Sequence, residues 1–313
     1  MPNEQEKVWT RRDALAFTLG GAAAAAAGVS MTGASLTTPK ESAMSVSQKS
    51  RMPVVYIPHG GGPWPFVDLG LDRDEVESLK QYLASLRSLP PVKPRAVLMI
   101  SAHWEEPVLS LQSSARPPMF YDYYGFPPAS YALQWPAPGA PDVAAEVQTL
   151  LEKAGWSTVL DAQRGYDHGT FIPMMLTYPQ AELPTLQLSL RRGLDPAEHL
   201  EIGRALAPLR EQGIFIIGSG MSFHNLSILR DPRARPVAAT FDRWLQESVT
   251  AAPVERNKRL IAWSEAPAAR LSHPREEHLL PLMVVAGAAL EETGKIGFNG
   301  KIFGLVTSGV HFG

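Results

Sequence analysis

The chain has 313 residues, of which 45% are hydrophobic and 19% are charged, and this is the composition of an ordinary globular protein. Its formal net charge is −2 and no block rich in lysine or arginine stands out, which argues against a nucleic-acid or anionic-membrane partner. The chain contains no cysteine, so disulfides, iron–sulfur clusters and thiolate zinc sites are excluded, and any metal site must use histidine, aspartate or glutamate.

The first 50 residues have the pattern of an export signal followed by a polar linker. Arg11 and Arg12 precede a stretch rich in alanine and glycine, which is typical of a twin-arginine signal. The alternatives are a helix packed on the domain and a membrane anchor, but the stretch is weakly apolar and contains glycines, so no stable membrane span is expected. We expect cleavage within 27–43 and a periplasmic protein formed by residues 51–313.

After the linker, the chain alternates short β-branched runs with longer helical patterns. Six runs predict strands, at 52–58, 95–101, 107–113, 183–190, 213–219 and 301–308. Five longer patterns predict helices, at 72–89, 140–155, 195–213, 239–249 and 276–292. This alternation predicts a single α/β domain with a largely parallel or mixed central sheet and helices on both faces.

A long loop over residues 115–141 is rich in aromatic residues and prolines. Loops of this length in a compact domain usually line or cover a site. We therefore expect an aromatic lid over a planar substrate, with Tyr123 and Tyr124 as substrate contacts beside Tyr121 and Phe126. The alternative is a surface loop that is held by its own packing.

Three histidines come just after predicted strands: His59, His103 and His224. In open α/β sheets the ligand crevice lies outside the carboxyl ends of the strands. Any one of these residues alone would be interpreted as an ordinary hydrogen-bonded histidine. Three separate segments are thus expected to place imidazoles at the same end of the sheet, and the sequence predicts a metal site there.

Two further histidines have suggestive neighbours, and two do not. His168 lies in a tight turn into a short helix, where it is either a site residue or merely a helix cap. His278 is the first polar residue of an otherwise apolar helix, so we expect it to point inward at the start of that helix. His199, on a charged amphipathic helix, and His311, near the C-terminus, are interpreted as structural.

A serine hydrolase is the first rival interpretation. The sequence "HGGG" at 59–62 is similar to an oxyanion-hole motif, and "GSGMS" at 218–222 follows a strand as a nucleophile elbow does. The elbow requires glycines two residues on either side of the serine. Neither Ser219 nor Ser222 has both, so the pattern fails.

Five blocks occur in a fixed order: "PHGGGP", "ISAHWE", "DHGTFIPMM", "GSGMSFHNL" and "HPREEHLLPLM". Together they resemble the DODA-type extradiol aromatic ring-opening dioxygenases. These are the DOPA 4,5-dioxygenase-like branch of the superfamily that contains the protocatechuate 4,5-dioxygenase β subunit. The resemblance runs from about Pro53 to the C-terminus, and the series is far more specific than any single block.

The resemblance implies a non-haem Fe(II) site, which holds zinc in some purified proteins. Its ligands match His59, His103 and His278. Protocatechuate-type enzymes have a glutamate where His278 aligns, so the adjacent Glu277 is the alternative third ligand. An all-histidine set is the pattern of the DOPA-type branch.

The resemblance also implies roles for the two remaining site residues. The residue that matches His224 acts as acid/base and is counted as a further candidate metal ligand. The residue that matches His168 contacts substrate or oxygen. The expected function is an exported extradiol dioxygenase that opens the ring of a small, DOPA-like catechol with O₂. The alternatives are a zinc-dependent hydrolase on the same scaffold and a non-catalytic member that binds metal or ligand.

Overall fold

The computed structural model describes residues 51–313, and the predicted export signal, its cleavage region and the linker lie outside these residues. Within this range one sheet contains eight strands: β1 (Val54–Pro58), β2 (Ala96–Glu106), β3 (Leu109–Gln112), β4 (Thr158–Asp161), β5 (Thr185–Arg191), β6 (Ile214–Gly220), β7 (Lys295–Ile302) and β8 (Leu305–Phe312). The same range contains eight α-helices: α1 (Arg73–Ser85), α2 (Pro141–Lys153), α3 (His168–Thr177), α4 (Pro196–Leu206), α5 (Ala234–Val249), α6 (Pro253–Ile261), α7 (Ala269–Ser272) and α8 (Leu280–Ala288).

The strand order is β4-β3-β5-β2-β6-β1-β8-β7. The four central strands β5, β2, β6 and β1 are parallel to one another. Antiparallel pairs join β1 to β8, β7 to β8 and β3 to β5. The sheet is therefore mixed with a parallel centre, and the carboxyl ends of β1, β2 and β6 lie at one edge.

The central strands are buried on both faces, as their nearly uniform apolar sequences predict. In β1, Val54 and Tyr56 belong to one apolar cluster, whereas Val55 and Ile57 belong to the other. Alternate residues of a strand point to opposite faces, so the two clusters lie on the two sides of the sheet. Helices α2, α4, α5 and α8 contribute to the first cluster, and α1 and α3 to the second. The predicted α/β class, with helices on both faces, is confirmed.

Several helices begin where capping chemistry predicts. The carboxylate of Asp72 accepts hydrogen bonds from the first backbone amides of α1, and Asp195 does the same for α4. Helix α8 is apolar all round and fully buried against the sheet. Its N-terminal end lies beside the end of β6, because the backbone amide of Met221 donates to the carbonyl of His278 at 3.1 Å.

The strand predicted over 301–308 is wrong. This stretch is the centre of a hairpin in which β7 and β8 are joined by Phe303 and Gly304, whose φ angles are 56° and 73°. Two-residue hairpin turns of this kind need left-handed backbone at both positions. Phenylalanine is rarely found there, so the pair gave no turn signal and the apolar run was interpreted as one strand.

Other element boundaries also differ from the predictions. Strand β2 does not end near Ser101 but continues past His103, with a register shift between Ile100 and Glu105 in its pairing with β5. His103 therefore lies within a strand at an irregularity and not beyond its end. Helix α8 begins at Leu280, and the residues before it form a turn. Strand β4 and helices α6 and α7 were not predicted.

None of the helices among residues 51–313 combines the length and the apolar character that crossing a membrane requires.

Candidate metal centre and active site

His59 stands at the end of β1, where the sheet stops. Its backbone amide still donates to the carbonyl of Gly220 at 3.1 Å, so the residue is fixed to the end of β6. The side chain is 1% exposed. The next residue, Gly60, has a φ of +83°, and a Cβ there would lie 2.4 Å from the Trp64 ring. Glycine is needed at this position because the chain turns sharply against an aromatic ring.

His103 lies on the irregular part of β2, between Ile100 and Glu105. A buried carboxylate, that of Asp167, accepts hydrogen bonds from Ser101 Oγ at 2.7 Å and from an Arg164 Nη at 2.8 Å. The same Arg164 Nη donates to the carbonyl of His103 at 3.2 Å. Gly169 packs against this segment, since a Cβ there would lie 3.0 Å from the His103 ring. These contacts fix the backbone that carries the imidazole.

His278 is fixed by its own backbone, which is in the turn that leads into α8. Its carbonyl accepts a hydrogen bond from the hydroxyl of Tyr56 at 2.8 Å, in addition to the amide of Met221. The prediction that His278 points inward at the start of this helix agrees with its 3% exposure, although the residue precedes the helix.

The imidazoles of His59, His103 and His278 meet at one point. One ring nitrogen from each lies within 4.8 Å of the other two. The Nε2 atoms of His59 and His103 are 3.3 Å apart, and within the described chain the buried Nε2 of His278 has no hydrogen-bond partner. Two of these imidazoles are buried and that of His103 is partly buried. Three imidazoles that turn nitrogens towards one another in this way are well suited to hold a cation that accepts nitrogen ligands.

The protonation state of these rings favours metal binding. Burial is the largest cause that lowers the pKa of His59 and of His103 well below the usual value. Burial also lowers the pKa of His278, to about 3. The imidazoles are therefore neutral near pH 7, and only a neutral imidazole has a lone pair to give to a metal.

Two of the three imidazoles have a carboxylate near Nδ1, the ring nitrogen that faces away from the other two imidazoles. The Nδ1 of His278 donates to Glu277 at 2.9 Å, and the Nδ1 of His103 lies 3.4 Å from a carboxylate oxygen of Asp122. Glu277 accepts the rear N–H of His278, which fixes the tautomer and leaves the front nitrogen for a metal. The Asp122 oxygen near His103 forms no hydrogen bond within the described chain, but it places a negative charge beside that ring. Glu277 thus contacts the rear of His278, and the structure brings His278 rather than Glu277 together with the other two histidines.

Asp122 was missed by the sequence analysis. It also accepts hydrogen bonds from the Nδ1 and the backbone amide of His168, at 2.8 and 2.9 Å. One carboxylate therefore joins His168 to His103, whose ring centroids are 3.9 Å apart. The available signal was an isolated acidic residue within the aromatic run "FYDYYGF" of the long loop.

His224 lies in the loop after β6, close to His278. The two rings stack with centroids 3.3 Å apart and an interplanar angle of 16°. The Nδ1 of His224 lies 3.2 Å from Glu277, so this carboxylate contacts both histidines. Burial opposes ionisation of Glu277, but hydrogen bonds from the two rings outweigh it and lower the pKa of the carboxyl far below its usual range. Glu277 is therefore ionised and accepts from both rings.

All five candidate histidines line one cavity of about 520 Å³. Three members of the predicted aromatic lid also line it: Tyr123, Tyr124 and Phe126. Tyr123 is nearly buried and donates its hydroxyl to the carbonyl of Ser130, whereas Tyr124 is 91% exposed. Tyr121 does not line the cavity, and its hydroxyl donates to the carbonyl of Leu133. The loop thus forms part of the cavity wall and is also held by its own packing.

The two histidines that the sequence analysis interpreted as structural have contacts outside this cavity. His199 hydrogen-bonds the carbonyl of Asp195, and His311 contacts the hydroxyl of Tyr82 at 2.9 Å. Ser219, which was considered as a nucleophile, is buried and donates its hydroxyl to the carbonyl of Gly169.

A family model described as the catalytic LigB subunit of aromatic ring-opening dioxygenase matches residues 53–309. This match includes the first seven strands, the first part of β8 and every histidine of the cavity. The chain belongs to the LigB family. The resemblance to DODA-type ring-opening dioxygenases is therefore confirmed, and the protein is an aromatic ring-opening dioxygenase by family.

Several curated relatives of this LigB protein are dioxygenases by name. The chain is 39% identical to the dioxygenase tasH of Hapsidospora irregularis over 257 residues, which are 77% of this chain and 79% of that protein. It is 39% identical to the 4,5-DOPA dioxygenase extradiol of Beta vulgaris over 70% of this chain and 83% of that protein. The Escherichia coli protein of the same name is 32% identical over 78% and 87% of the two chains.

The fold of this LigB protein is also found in a solved structure. The crystal structure of an uncharacterized protein from Escherichia coli K12 superposes with a TM-score of 0.68 and 30% identity, covering 84% of this chain and all of that chain. All three curated relatives are named dioxygenases, and two of them extradiol dioxygenases, so the hydrolase alternative is not favoured.

Asp122 provides a test of the arrangement around the LigB imidazoles. We expect Asp122→Asn to lower metal affinity about 10- to 100-fold, because a neutral amide no longer fixes His103 and His168 as an ionised carboxylate does. Competition with a chromophoric chelator measures the affinity. Asp142→Asn, in the first turn of α2, is the matched control and should leave the affinity unchanged. Equal affinities in the two variants would show that Asp122 does not orient the site.

Proposed function

We propose that this protein is an exported, Fe(II)-dependent extradiol dioxygenase that opens the ring of a small catechol with O₂. The observation that carries the proposal is the meeting of three neutral imidazoles, two buried and one partly buried, at the end of a cavity that is otherwise largely apolar. Such a set of ligands on one side of a cation leaves positions open for other ligands, as in non-haem iron oxygenases.

His59, His103 and His278 would hold the metal. Fe(II) bound there would supply a Lewis acid that acidifies a catechol hydroxyl and a redox centre for O₂. The protein contributes the orientation of the ligands, through Asp122 and Glu277 behind two of them. Zinc is accepted by the same donor set, so the metal in purified protein depends on supply.

His224 is the proposed acid/base group. Its ring is stacked on His278 and lines the same cavity, so a substrate proton at the metal end is within its reach. Histidine is suited to this work because it exchanges protons near neutral pH. Glu277 holds the Nδ1 of His224, which leaves Nε2 to take a proton from a catechol oxygen and to return it when the ring opens.

His168 and the aromatic wall are proposed to orient the substrate. The imidazole of His168 is fixed by Asp122 and faces the rings of His59 and His103, with centroid distances of 5.2 and 3.9 Å. Tyr123 and Tyr124 line the cavity beside it. Flat apolar side chains of this kind pack against a planar ring and exclude water.

Oxygen uptake after anaerobic loading with Fe(II) tests this function. We expect O₂ consumption and a coloured ring-opened product with at least one catechol from a panel that includes DOPA. We expect none with resorcinol, whose hydroxyls are not adjacent. Zinc-loaded protein that turns over an ester or amide without O₂ would favour a hydrolase, and metal binding without turnover would favour a non-catalytic member.

Export by the twin-arginine route is proposed from the sequence of the first 50 residues. We expect residues 1–50 to carry a folded reporter protein into the periplasm of a Gram-negative host. Replacing both Arg11 and Arg12 by lysine should retain most of the reporter in the cytoplasm, and cell fractionation measures this. A single replacement at Lys7 is the control. Export that is unaffected by the double replacement would contradict the proposal.

A further inference from the structure

The cavity that contains the imidazoles has a second polar feature, the guanidinium of Arg230. This residue follows β6 in the segment that leads to α5. It is the single lysine or arginine that lines the cavity in the described part of the chain, and its neighbours in the wall are apolar, among them Leu226, Leu229 and Leu305.

The ring of Phe303 supports this guanidinium. The centre of the Arg230 guanidinium lies 5.3 Å from the centroid of the ring. Arginine that stacks on an aromatic face keeps its N–H groups, which lie in the plane of the guanidinium, free for a ligand. The stack therefore orients a bidentate donor without using its hydrogen bonds.

Phe303 has a strained backbone conformation. It is the first turn residue of the β7–β8 hairpin, and its φ of 56° is a conformation that glycine or asparagine adopts more readily. The turn is fastened to α1, because the amide of Gly304 donates to the Glu75 carboxylate at 3.1 Å. Strained residues of this kind often mark functional sites. Here the strained turn brings an aromatic ring to the cavity wall.

Arg230 has no carboxylate partner within 4.0 Å among residues 51–313. The adjacent Asp231 is paired with Arg233 at 2.6 Å. The one carboxylate that lines the cavity within this range, Asp122, is bound by His168. The apolar wall therefore carries an uncompensated positive charge that faces the substrate space.

We infer that Arg230, stacked on Phe303, selects catechols whose ring carries a carboxylate-bearing substituent. The inference rests on the proposed function, since it assigns the part of the substrate that does not react. The diol faces the imidazoles, and the carboxylate forms a charge-assisted, bidentate pair with Arg230. Arg230 is exposed, so water screens part of this pair, and its contribution is modest although the neighbouring wall is apolar.

The test compares an acid with its neutral ester in the full-length, Fe(II)-loaded protein. The substrates are 3-(3,4-dihydroxyphenyl)propionate and its methyl ester, and kcat/KM is measured from oxygen uptake. We expect Arg230→Gln to lower kcat/KM for the acid about tenfold and to change the value for the ester by less than about twofold. Arg233→Gln is the matched control, because it removes the same charge from the same segment at a side chain that is 91% exposed. It should leave both values unchanged.

A second variant tests the contribution of the ring. Phe303→Gly relieves the left-handed backbone but removes the packing of the ring against the second apolar cluster, so thermal unfolding is measured to check that the variant is folded. Without the ring beneath it the guanidinium loses its orientation, and we expect the preference for the acid to fall severalfold. An unchanged preference would overturn the role of Phe303.

Binding of a compound without the diol separates this inference from the proposed function. Anaerobic titration with 3-phenylpropionate and with 3-phenylpropionamide needs no turnover. Weaker binding of the acid, but not of the amide, to Arg230→Gln supports the subsite even if no catechol is oxidised. If oxygen uptake occurs but wild-type protein and Arg230→Gln treat acid and neutral compounds alike in both assays, the inference is overturned and the dioxygenase stands.

Discussion

Replacing His59 or His103 by alanine is expected to abolish stoichiometric metal binding. Each variant leaves two of three imidazoles, and the remaining Nε2 atom of the 3.3 Å pair faces a gap where its partner stood. A cation held by two neutral nitrogens and water exchanges readily with solvent, so the metal is lost during desalting. Elemental analysis after anaerobic loading with Fe(II) and removal of excess metal measures the content.

Two comparisons make this result specific. His311→Ala removes an imidazole that contacts Tyr82 outside the cavity, and this variant should retain full metal content. Thermal unfolding of the metal-free proteins checks that the His59 and His103 variants are folded. A folded variant of either residue with an unchanged iron content would refute the assigned ligands.

Replacing His224 by alanine is expected to remove turnover while leaving most of the metal. The ring of His224 stacks on His278 but does not belong to the group formed with His59 and His103. Loss of a general base typically lowers the rate by about 10²- to 10⁴-fold. Oxygen uptake at saturating catechol measures kcat, and the iron content is determined on the same sample.

Chemical rescue distinguishes an acid/base role from a purely structural one. The alanine variant leaves space beside His278, and added imidazole is expected to restore part of kcat in a concentration-dependent manner. The control is His199→Asn, in α4, which should show no rescue because this ring is buried against the carbonyl of Asp195. Near-normal kinetics of the His224 variant would contradict the acid/base role.

The sequence predicted the buried central strands better than the short edge strand β4 and the hairpin of β7 and β8. Strands such as β1 and β6 are buried on both faces, so their nearly continuous apolar runs are unambiguous. Strand β4 is a short strand at the edge of the sheet whose Val159 and Leu160 are largely exposed, and it carries neither a buried run nor a clear alternation. The hairpin was missed because its turn uses Phe303 in a conformation that phenylalanine rarely adopts.

The imidazoles were predictable because strand ends place residues at a common edge regardless of what lies between them. His103 was expected there although β2 in fact continues beyond it, since the irregularity turns its ring to the same point. Asp122 could not be placed in this way. The loop that carries it has no repeating pattern, and its path depends on contacts within the loop, such as that of the Tyr121 hydroxyl with the carbonyl of Leu133.

The order of the three imidazoles along the chain has a consequence for biosynthesis. His59 and His103 leave the ribosome early, but His278 follows only after most of the sheet has been translated. A nascent chain lacks the third proposed donor until residue 278 has been synthesised, so we expect stable metal loading only after that point. A free metal concentration 100 times the dissociation constant then adds about 2.7 kcal/mol to the free energy of unfolding. We therefore expect the melting temperature of the protein to rise with metal supply.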